Sequence, residues 1–264
     1  MGVRLQGFNV FITGGSCGMG YEMAKELLSR GATVVISARG VEKLNKAYEK
    51  LKSEGYDVYS IPLDVTNEES VNNAVTWYKE HFDHLDMLVN NAGIGNNAPG
   101  MISIKDNKHF YDIPVSTFKS IVETNFNGIF LVSRAFVPIM IEKGKGRIVN
   151  VSTSASTMTR KGMIPYGPSK AAMEAMSTIL SEELKEFEIT VNIICPGGPT
   201  DTDMTTEEMK TFFNENDIPI LKSNILNKTI LFLASPNADG LTGEKIIGKE
   251  FNEWLKNRNI SFEC

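Results

Sequence analysis

The sequence predicts an α/β protein built on a doubly wound parallel sheet, and two observations carry this prediction. Short runs of apolar and β-branched residues recur along the chain, and the stretches between them place apolar residues at helical spacing. The runs cover 9–13, 32–37, 57–63, 86–93, 147–152, 189–197 and 245–248. The first four are nearly continuously apolar, as strands covered on both faces should be. Strands that alternate with helices indicate βαβ units, so we expect a parallel sheet.

Glycines mark the predicted ends of the first two helices. Gly31 follows Arg30, and Gly55 follows Glu54, in each case where the apolar spacing stops. A helix commonly ends on a residue in the left-handed conformation, which glycine adopts without strain.

Composition limits the function classes. The chain has 264 residues, of which 42% are hydrophobic and 22% charged, which suits a soluble globular protein with one domain. A net charge of −5 without a basic block excludes the surface that non-specific nucleic-acid binding needs. No run approaches the ~18 uninterrupted apolar residues of a membrane span, so we expect no membrane partner. The three cysteines lack C-x-x-C spacing, which predicts neither disulfides nor zinc and favours a cytoplasmic location.

A glycine-rich turn, TGGSCGMG at 13–20, connects the first strand to the first helix. Glycines at this position let the backbone approach a pyrophosphate, whose charge then faces the amides of the helix N-terminus. The alternative is a tight turn with no ligand, but its place at the start of a doubly wound pattern favours a dinucleotide. The predicted contacts are Gly14, Ser16, Cys17, Gly18, Met19 and Gly20. Because Cys17 begins the helix, we also expect its thiol to have a lowered pKa.

Tyr166 and Lys170 lie four residues apart at the start of a predicted helix, so both side chains project from one face. A free phenol has a pKa near 10 and is a poor base at neutral pH. A neighbouring ammonium in a partly desolvated cleft, together with the positive charge of a bound oxidised cofactor ring, is expected to lower the pKa of Tyr166 towards about 7.5 and make it an acid/base group. The alternative is an ordinary exposed helix pair.

Six motifs occur in the order and approximate spacing of the short-chain dehydrogenases/reductases, and the resemblance runs from about residue 5 to 245. They are TGGSCGMG at 13–20, NNAG at 90–93, Asn125 in ETNFNG, VNVST at 149–153, YGPSK at 166–170 and CPGG at 195–198. The resemblance implies a Rossmann-type sheet of about seven parallel strands flanked by helices, with a nicotinamide dinucleotide at its carboxyl edge. It also implies a homodimer or homotetramer, although EKIIGKEFNEWL at 244–255 departs from the usual V-D-G-G ending.

The resemblance implies a catalytic group of Asn125, a hydroxyl residue, Tyr166 and Lys170. The hydroxyl of the family lies three residues after the strand asparagine and 13 before the tyrosine. Counting from Asn150 and from Tyr166 reaches Thr153 both times, where the family has serine. Thr153 is therefore the first candidate, and Ser154 remains the second because one bulge would turn it inwards.

Further cofactor contacts follow from the same resemblance. They are Asp64, Val65, Asn91, Ala92, Gly93, Pro196, Gly197 and Thr202, with Tyr166 and Lys170 themselves. At the end of the second strand, where an Asp or Glu would select NAD, the chain has Ala38 and Arg39. A guanidinium binds phosphate in a bidentate manner, so NADP is preferred and NAD stays open. Asp64 has a second interpretation, as a turn residue before the next helix.

The substrate is expected to be a small carbonyl or alcohol compound, bound by two loop regions at about 94–116 and 202–220 together with 158–165. Arg160 and Lys161 either meet an anionic substrate group or belong to a solvated loop. His81 and His84 resemble a metal pair, but a capping role at a helix end is favoured and no metal is expected.

Three hypotheses for the function follow. The first is an NADP-dependent oxidoreductase that uses Tyr166 as general acid/base. The second is an NADP-binding module with vestigial catalysis, because the usual serine is missing. The third is a non-redox lyase or epimerase on the same fold.

Overall fold

The computed structural model describes residues 2–95, 98 and 109–263. One seven-stranded sheet forms its centre, with every adjacent pair of strands parallel and the order β3-β2-β1-β4-β5-β6-β7. The strands are β1 (Asn9–Thr13), β2 (Thr33–Ala38), β3 (Val58–Pro62), β4 (Met87–Asn90), β5 (Gly146–Val151), β6 (Ile189–Cys195) and β7 (Lys245–Ile247). Each of the seven predicted runs overlaps one strand to within one residue at its ends or encloses it, so the predicted α/β, doubly wound, single-domain fold is confirmed.

Ten helices connect the strands in the described part of the chain. They are α1 (Gly18–Ser29), α2 (Val41–Ser53), α3 (Glu68–His81), α4 (Val115–Val122), α5 (Gly128–Lys143), α6 (Ala155–Met158), α7 (Tyr166–Glu183), α8 (Glu207–Glu215), α9 (Asn227–Ala234) and α10 (Phe251–Asn257). Gly31 and Gly55, just beyond α1 and α2, have φ of 90° and 84°. Both adopt the left-handed conformation that the sequence predicts for helix ends.

The strand order reverses between β1 and β4. The chain builds β1, β2 and β3 outwards in one direction and then returns to place β4 beside β1, with Thr13 next to Asn90 at the carboxyl ends. The connections that leave these two strands diverge to opposite sides, which opens a crevice between them. The glycine-rich turn and the NNAG motif both meet at this crevice.

Two apolar clusters cover the two faces of the sheet. One joins α1, α2, α9 and α10 to the sheet, and the other joins α3 and α5. In the second cluster the ring of Phe11 lies 4.4 Å from that of Phe136 and 5.9 Å from that of Tyr78, between ring centroids. All three rings are fully buried, so they fix the position of α5 against β1.

A single helical path runs from α4 through a π-helical turn, Glu123–Asn127, into α5. This 29-residue path, Val115–Lys143, is long and apolar enough to cross a membrane by length and composition, and half of its most apolar window is buried inside the protein. The buried side of α5 packs against β4 and β5, as in the core helix of a layered α/β protein. The π-helical turn adds one residue to the helix, and such insertions often occur at functional sites.

Replacing Phe136 with alanine tests this packing. We expect Phe136→Ala to lower the free energy of unfolding by about 3–5 kcal/mol, because it leaves a cavity between Phe11 and Tyr78. Phe130→Ala on the same helix is the matched control, since Phe130 is 49% exposed, and we expect a change within about 0.5 kcal/mol. Urea unfolding followed by circular dichroism measures both. Equal losses in the two variants would contradict the assignment of Phe136 to the core.

Candidate active site

The turn between β1 and α1 requires glycine on steric grounds. Gly14 and Gly18 have φ of 67° and 55°, in the left-handed region. A Cβ on Gly20 would lie 2.3 Å from the Gly14 carbonyl oxygen and 2.4 Å from the Asn91 Nδ2. The Asn91 amide also donates hydrogen bonds to the carbonyl oxygens of Thr13 (3.1 Å) and Gly14 (2.9 Å). The turn is therefore a tight cradle, and the Asn91 side chain just after β4 fixes its backbone.

A cleft of about 250 Å³ opens above this cradle. Nearly all of the cofactor contacts expected from the sequence line it. These are Gly14, Ser16, Cys17, Gly18, Met19, Gly20, Arg39, Asp64, Val65, Asn91, Ala92, Gly93, Tyr166, Lys170 and Thr202. Pro196 and Gly197 line a neighbouring cavity instead. Asp203 and Met204, from the region 202–220 predicted to bind the substrate, also line the cleft.

The prediction of a lowered pKa for Cys17 is wrong. Although Cys17 begins α1, partial burial of its sulfur raises the pKa of the thiol, and a hydrogen-bonded carboxylate at Asp203 raises it further. Asp203 in turn forms an ion pair with Lys43 of α2, with 2.9 Å between Nζ and Oδ2. This ion pair lies near Cys17. Sequence reasoning missed this contact because it joins positions 160 residues apart.

Asp64 serves as a turn residue. Its Oδ1 accepts hydrogen bonds from the amide (3.0 Å) and the hydroxyl (2.7 Å) of Thr66, just before α3 begins. The interpretation as a local turn is therefore confirmed, while the residue also lines the cleft.

Three functional groups meet where α7 begins. The Thr153 side chain lies close enough to the Tyr166 phenol to lower its pKa. Lys170, one helical turn after Tyr166, is 5% exposed, and its Nζ donates a 2.8 Å hydrogen bond to the Val151 carbonyl oxygen at the end of β5. The two side chains line the same cleft, as the four-residue spacing predicts.

Ser154, the second candidate for the catalytic hydroxyl, has other partners. Its Oγ lies 3.1 Å from the Ser156 hydroxyl and 2.8 Å from the Thr157 hydroxyl at the start of α6. The structure thus directs Thr153 to the tyrosine and Ser154 to the neighbouring loop.

Asn125 lies in the middle of the π-helical turn and is fully buried. Its side chain binds the backbone of Ile94 twice, accepting from the amide and donating to the carbonyl oxygen, both at 2.9 Å. It also donates to the Ser169 hydroxyl at 3.2 Å. Asn125 therefore fixes the segment after β4 against the first turn of α7.

Burial dominates the electrostatics of this group. It raises the pKa of Tyr166, and the Thr153 hydroxyl lowers that pKa by a smaller amount. Burial also lowers the pKa of Lys170 to about 8, against the raising effect of the Glu174 carboxylate. In the protein without cofactor the pKa of Tyr166 is therefore raised, and the lowering expected from Lys170 together with an oxidised cofactor ring stays a prediction. The physical reason is that desolvation disfavours the charged forms of both groups.

A second cavity, of about 370 Å³, lies on the other side of Tyr166. Tyr166 and Ser152 line both spaces, together with Met19, Thr202 and Met204. The region 202–220 lines this cavity and carries α8, and 158–165 contributes Arg160 and Met163. Most of the other predicted substrate loop, 94–116, lies outside the described residues, at 96–97 and 99–108.

The two histidines near the end of α3 have structural partners. His81 Nδ1 lies 2.8 Å from the Trp77 carbonyl oxygen, and His84 forms ion pairs with Asp83 and Asp86. Within the described ranges, no group of three or more His, Cys, Asp or Glu side chains is arranged to hold a metal ion. Local pairing explains both histidines.

Comparison with known proteins agrees with this geometry. The family model described as short chain dehydrogenase matches residues 9–211. A 3-oxoacyl-[acyl-carrier-protein] reductase of Aquifex aeolicus is 31% identical, covering 93% of this chain and 97% of its own. A 5-keto-D-gluconate 5-reductase of Escherichia coli is 32% identical, over 73% and 72%. The crystal structure of a 3-ketoacyl-(acyl-carrier-protein) reductase from Brucella melitensis, complexed with NADH, superposes with a TM-score of 0.81. It is 27% identical and the match covers 92% of this chain and 97% of that one.

The lowered pKa of Lys170 makes stability depend on pH. An unfolded lysine titrates near 10.4, and the folded one near 8, so between these values the unfolded chain binds more protons. Stability linked to Lys170 therefore rises with pH in this window. We expect Lys170→Met to flatten the rise in unfolding free energy between about pH 8 and 10. Urea titrations at several pH values measure it. Lys185→Met, at an exposed position after α7, is the control and should keep the wild-type slope; an unchanged slope in Lys170→Met would refute the shift.

Proposed function

Because the chain belongs to the short-chain dehydrogenase family, we propose that it is an oxidoreductase that transfers a hydride between NADP(H) and a carbonyl or secondary alcohol. One observation carries the proposal: Tyr166, beside Thr153, lines both the cleft and the second cavity. A dinucleotide in the cleft and a small substrate in the cavity would then meet at the Tyr166 hydroxyl. The two curated relatives are themselves named as reductases of oxo or keto compounds.

The residues of the cleft fit a dinucleotide. Because Gly20 has no Cβ, the Gly14 carbonyl can pack directly against it. This keeps the turn tight enough for its backbone to approach a pyrophosphate closely. Ser16 and Gly18 precede or begin α1, whose N-terminal amides favour an anion. Asn91 and Lys170 line the inner part of the cleft. When bound there, a nicotinamide dinucleotide supplies or accepts the hydride.

Arg39 supports NADP over NAD. It follows the last residue of β2, lines the cleft and is exposed. No ion pair with Arg39 occurs in the part of the chain that the structure describes, so its guanidinium is free to bind a phosphate. No carboxylate occupies the strand end itself, where one would select the unphosphorylated ribose.

Tyr166 is proposed as the proton donor in the reducing direction. Because burial raises its pKa, the phenol is protonated at neutral pH and ready to donate. The Thr153 hydroxyl, which lies beside the phenol, would hold the carbonyl oxygen within reach of the same proton. Addition of one hydride to the carbon and one proton to the oxygen converts the carbonyl to an alcohol, and the reverse steps oxidise the alcohol.

Lys170 and Asn125 are proposed to support this proton transfer. The Lys170 ammonium, fixed by the Val151 carbonyl oxygen, stabilises negative charge that develops on the phenol. Asn125, which joins Ile94 to Ser169, keeps the first turn of α7 in register with the cleft. The proximity of Thr153 to Tyr166 favours an active enzyme over a binding module with vestigial catalysis. Thr153 supplies a hydroxyl beside the tyrosine in place of the usual serine.

We further propose that the protein forms a homodimer or homotetramer and that it is located in the cytoplasm. Large apolar side chains at Phe118, Phe130 and Ile179 are between 45% and 57% exposed on α4, α5 and α7. These helices therefore offer apolar surface to another copy of the chain. Cys17 and Cys195 are both free thiols, as a reducing compartment maintains.

The Tyr166→Phe variant tests the reaction. It removes the proton donor and keeps the ring, so we expect NADPH oxidation with a panel of ketones to fall at least about 100-fold, the scale of general acid catalysis. NADPH binding, followed by fluorescence titration, should stay within about threefold, since the phenol supplies no phosphate contact. Lys185→Met, at an exposed position after α7, is the control for activity. An unchanged rate in Tyr166→Phe would show that a different group donates the proton. If the unmodified protein oxidises no NADPH with any ketone, the binding-module or the lyase or epimerase alternative is favoured.

The Arg39→Leu variant tests the cofactor preference. We expect KM for NADPH to rise about 10- to 100-fold, because a bidentate charge-assisted contact to the phosphate is lost. KM for NADH should change little. Lys46→Met, at an exposed position on α2, controls for the general loss of positive charge. Equal KM values for the two cofactors in the unmodified protein would show that Arg39 does not select the phosphate.

A further inference from the structure

The second cavity has a chemical division that hydride transfer by itself does not explain. Near Tyr166 it presents hydroxyls, among them Ser152 and Thr153. Its walls are apolar and comprise Met163, Met204, Met209, Phe213, Ile218 and Leu221. Two cations, Arg160 and Lys249, complete the lining at exposed positions. Given the proposed function, we propose that the substrate is an anionic carbonyl compound, a keto carboxylate with an apolar segment, whose carboxylate is bound by Arg160 and Lys249.

Arg160 belongs to a loop that is fixed close to the cavity. It follows α6, and its carbonyl oxygen accepts a 3.2 Å hydrogen bond from the amide of Met163. Met163 is 6% exposed and lines the same cavity, so it anchors this turn. No ion pair with Arg160 occurs among the described residues, which leaves the guanidinium available. Lys161, the next residue, is also exposed but does not line the cavity.

Lys249 reaches the cavity from the opposite end of the chain. Its amide donates a 3.1 Å hydrogen bond to the Pro196 carbonyl oxygen. Its aliphatic stem packs on Gly197, where a Cβ would lie 2.7 Å from the lysine Cγ. The stem is thus held at the turn after β6 while the ammonium stays at the surface. Its ion pair with Glu250, at 3.6 Å and about half exposed, is of the weak surface kind.

The charge balance of the cavity selects for an anion. Within the described part of the lining, two side chains are cationic and none is a carboxylate. Clefts lined by one sign of charge with apolar walls focus the field and concentrate the opposite charge. Exposed cations are common on protein surfaces, but two of them from segments about 90 residues apart converge here on one apolar cavity. Of the two interpretations of Arg160, the cavity supports contact with an anionic substrate group. Lys161 lies outside the lining, so a substitution there is a control for one at Arg160.

Binding of unreactive ligands tests the anion site without any turnover. Isothermal titration of the full chain compares hexanoate with hexanamide, which has a similar shape and no charge. We expect hexanoate to bind about tenfold more tightly or better, since hydrogen bonds to charged groups are the stronger ones. Arg160→Met and Lys249→Met each weaken that preference, and the double variant abolishes it. Methionine keeps an apolar stem, so Lys249→Met preserves the packing on Gly197. Lys161→Met is the matched control and should keep the full preference.

Kinetics then separates this inference from the proposed function. With NADPH, levulinate should show a kcat/KM at least about tenfold above that of methyl levulinate, with the difference in KM. Arg160→Met should reduce this difference, and the double variant should remove it. Equal binding of hexanoate and hexanamide, binding of neither, or a preference that survives the double variant overturns the anion site. Preferential binding of hexanoate with no turnover of any ketone would uphold the anion site and count against the proposed function instead.

Discussion

The hydrogen bonds from the Asn91 side chain to the turn after β1 are the constraint on which the rest of the site depends. They join the carboxyl ends of β1 and β4 at the point where the strand order reverses. With the amide in this position, Gly20 has no room for a side chain, and α1 must begin close to the sheet. The cleft, its glycine backbone and the start of α1 are thus consequences of one polar contact between neighbouring parallel strands.

The same edge of the sheet collects the reactive groups. β5 delivers Thr153 and the carbonyl oxygen that binds Lys170, and α7 begins where Tyr166 meets both spaces. The Tyr166 hydroxyl and the Lys170 ammonium both belong to α7, and the ammonium is bound at the end of β5. The packing of a helix on a strand therefore sets their positions. Rigid elements of this kind keep functional groups in place more closely than loops do.

Local patterns predicted the strands, the helix ends and the tyrosine–lysine pair, because each depends on residues within a few positions of one another. Thr153 was predicted before Ser154 because two independent counts converged on it, and the contact with Tyr166 agrees. The pKa of Cys17 was mispredicted because its neighbour Asp203 is distant in sequence. The pKa of Tyr166 in the protein without cofactor is raised by burial, which depends on the whole fold and cannot be read from the four-residue spacing. No sequence motif predicts that Lys249 is a site residue. It reaches the cavity because the segment after β7 packs closely on Gly197.

The π-helical turn between α4 and α5 couples the length of the chain to both the site and the core. Successive residues in an α-helix are rotated by about 100°, so deletion of one residue from Glu123–Asn127 would turn everything after it by that angle. Phe136 would leave its place beside Phe11, and Asn125 would lose its register with Ile94. An insertion or deletion of one codon is therefore far less tolerable here than in the surface connections. The number of residues in this short segment is therefore fixed by two separate requirements, the packing of Phe136 and the hydrogen bonds of Asn125.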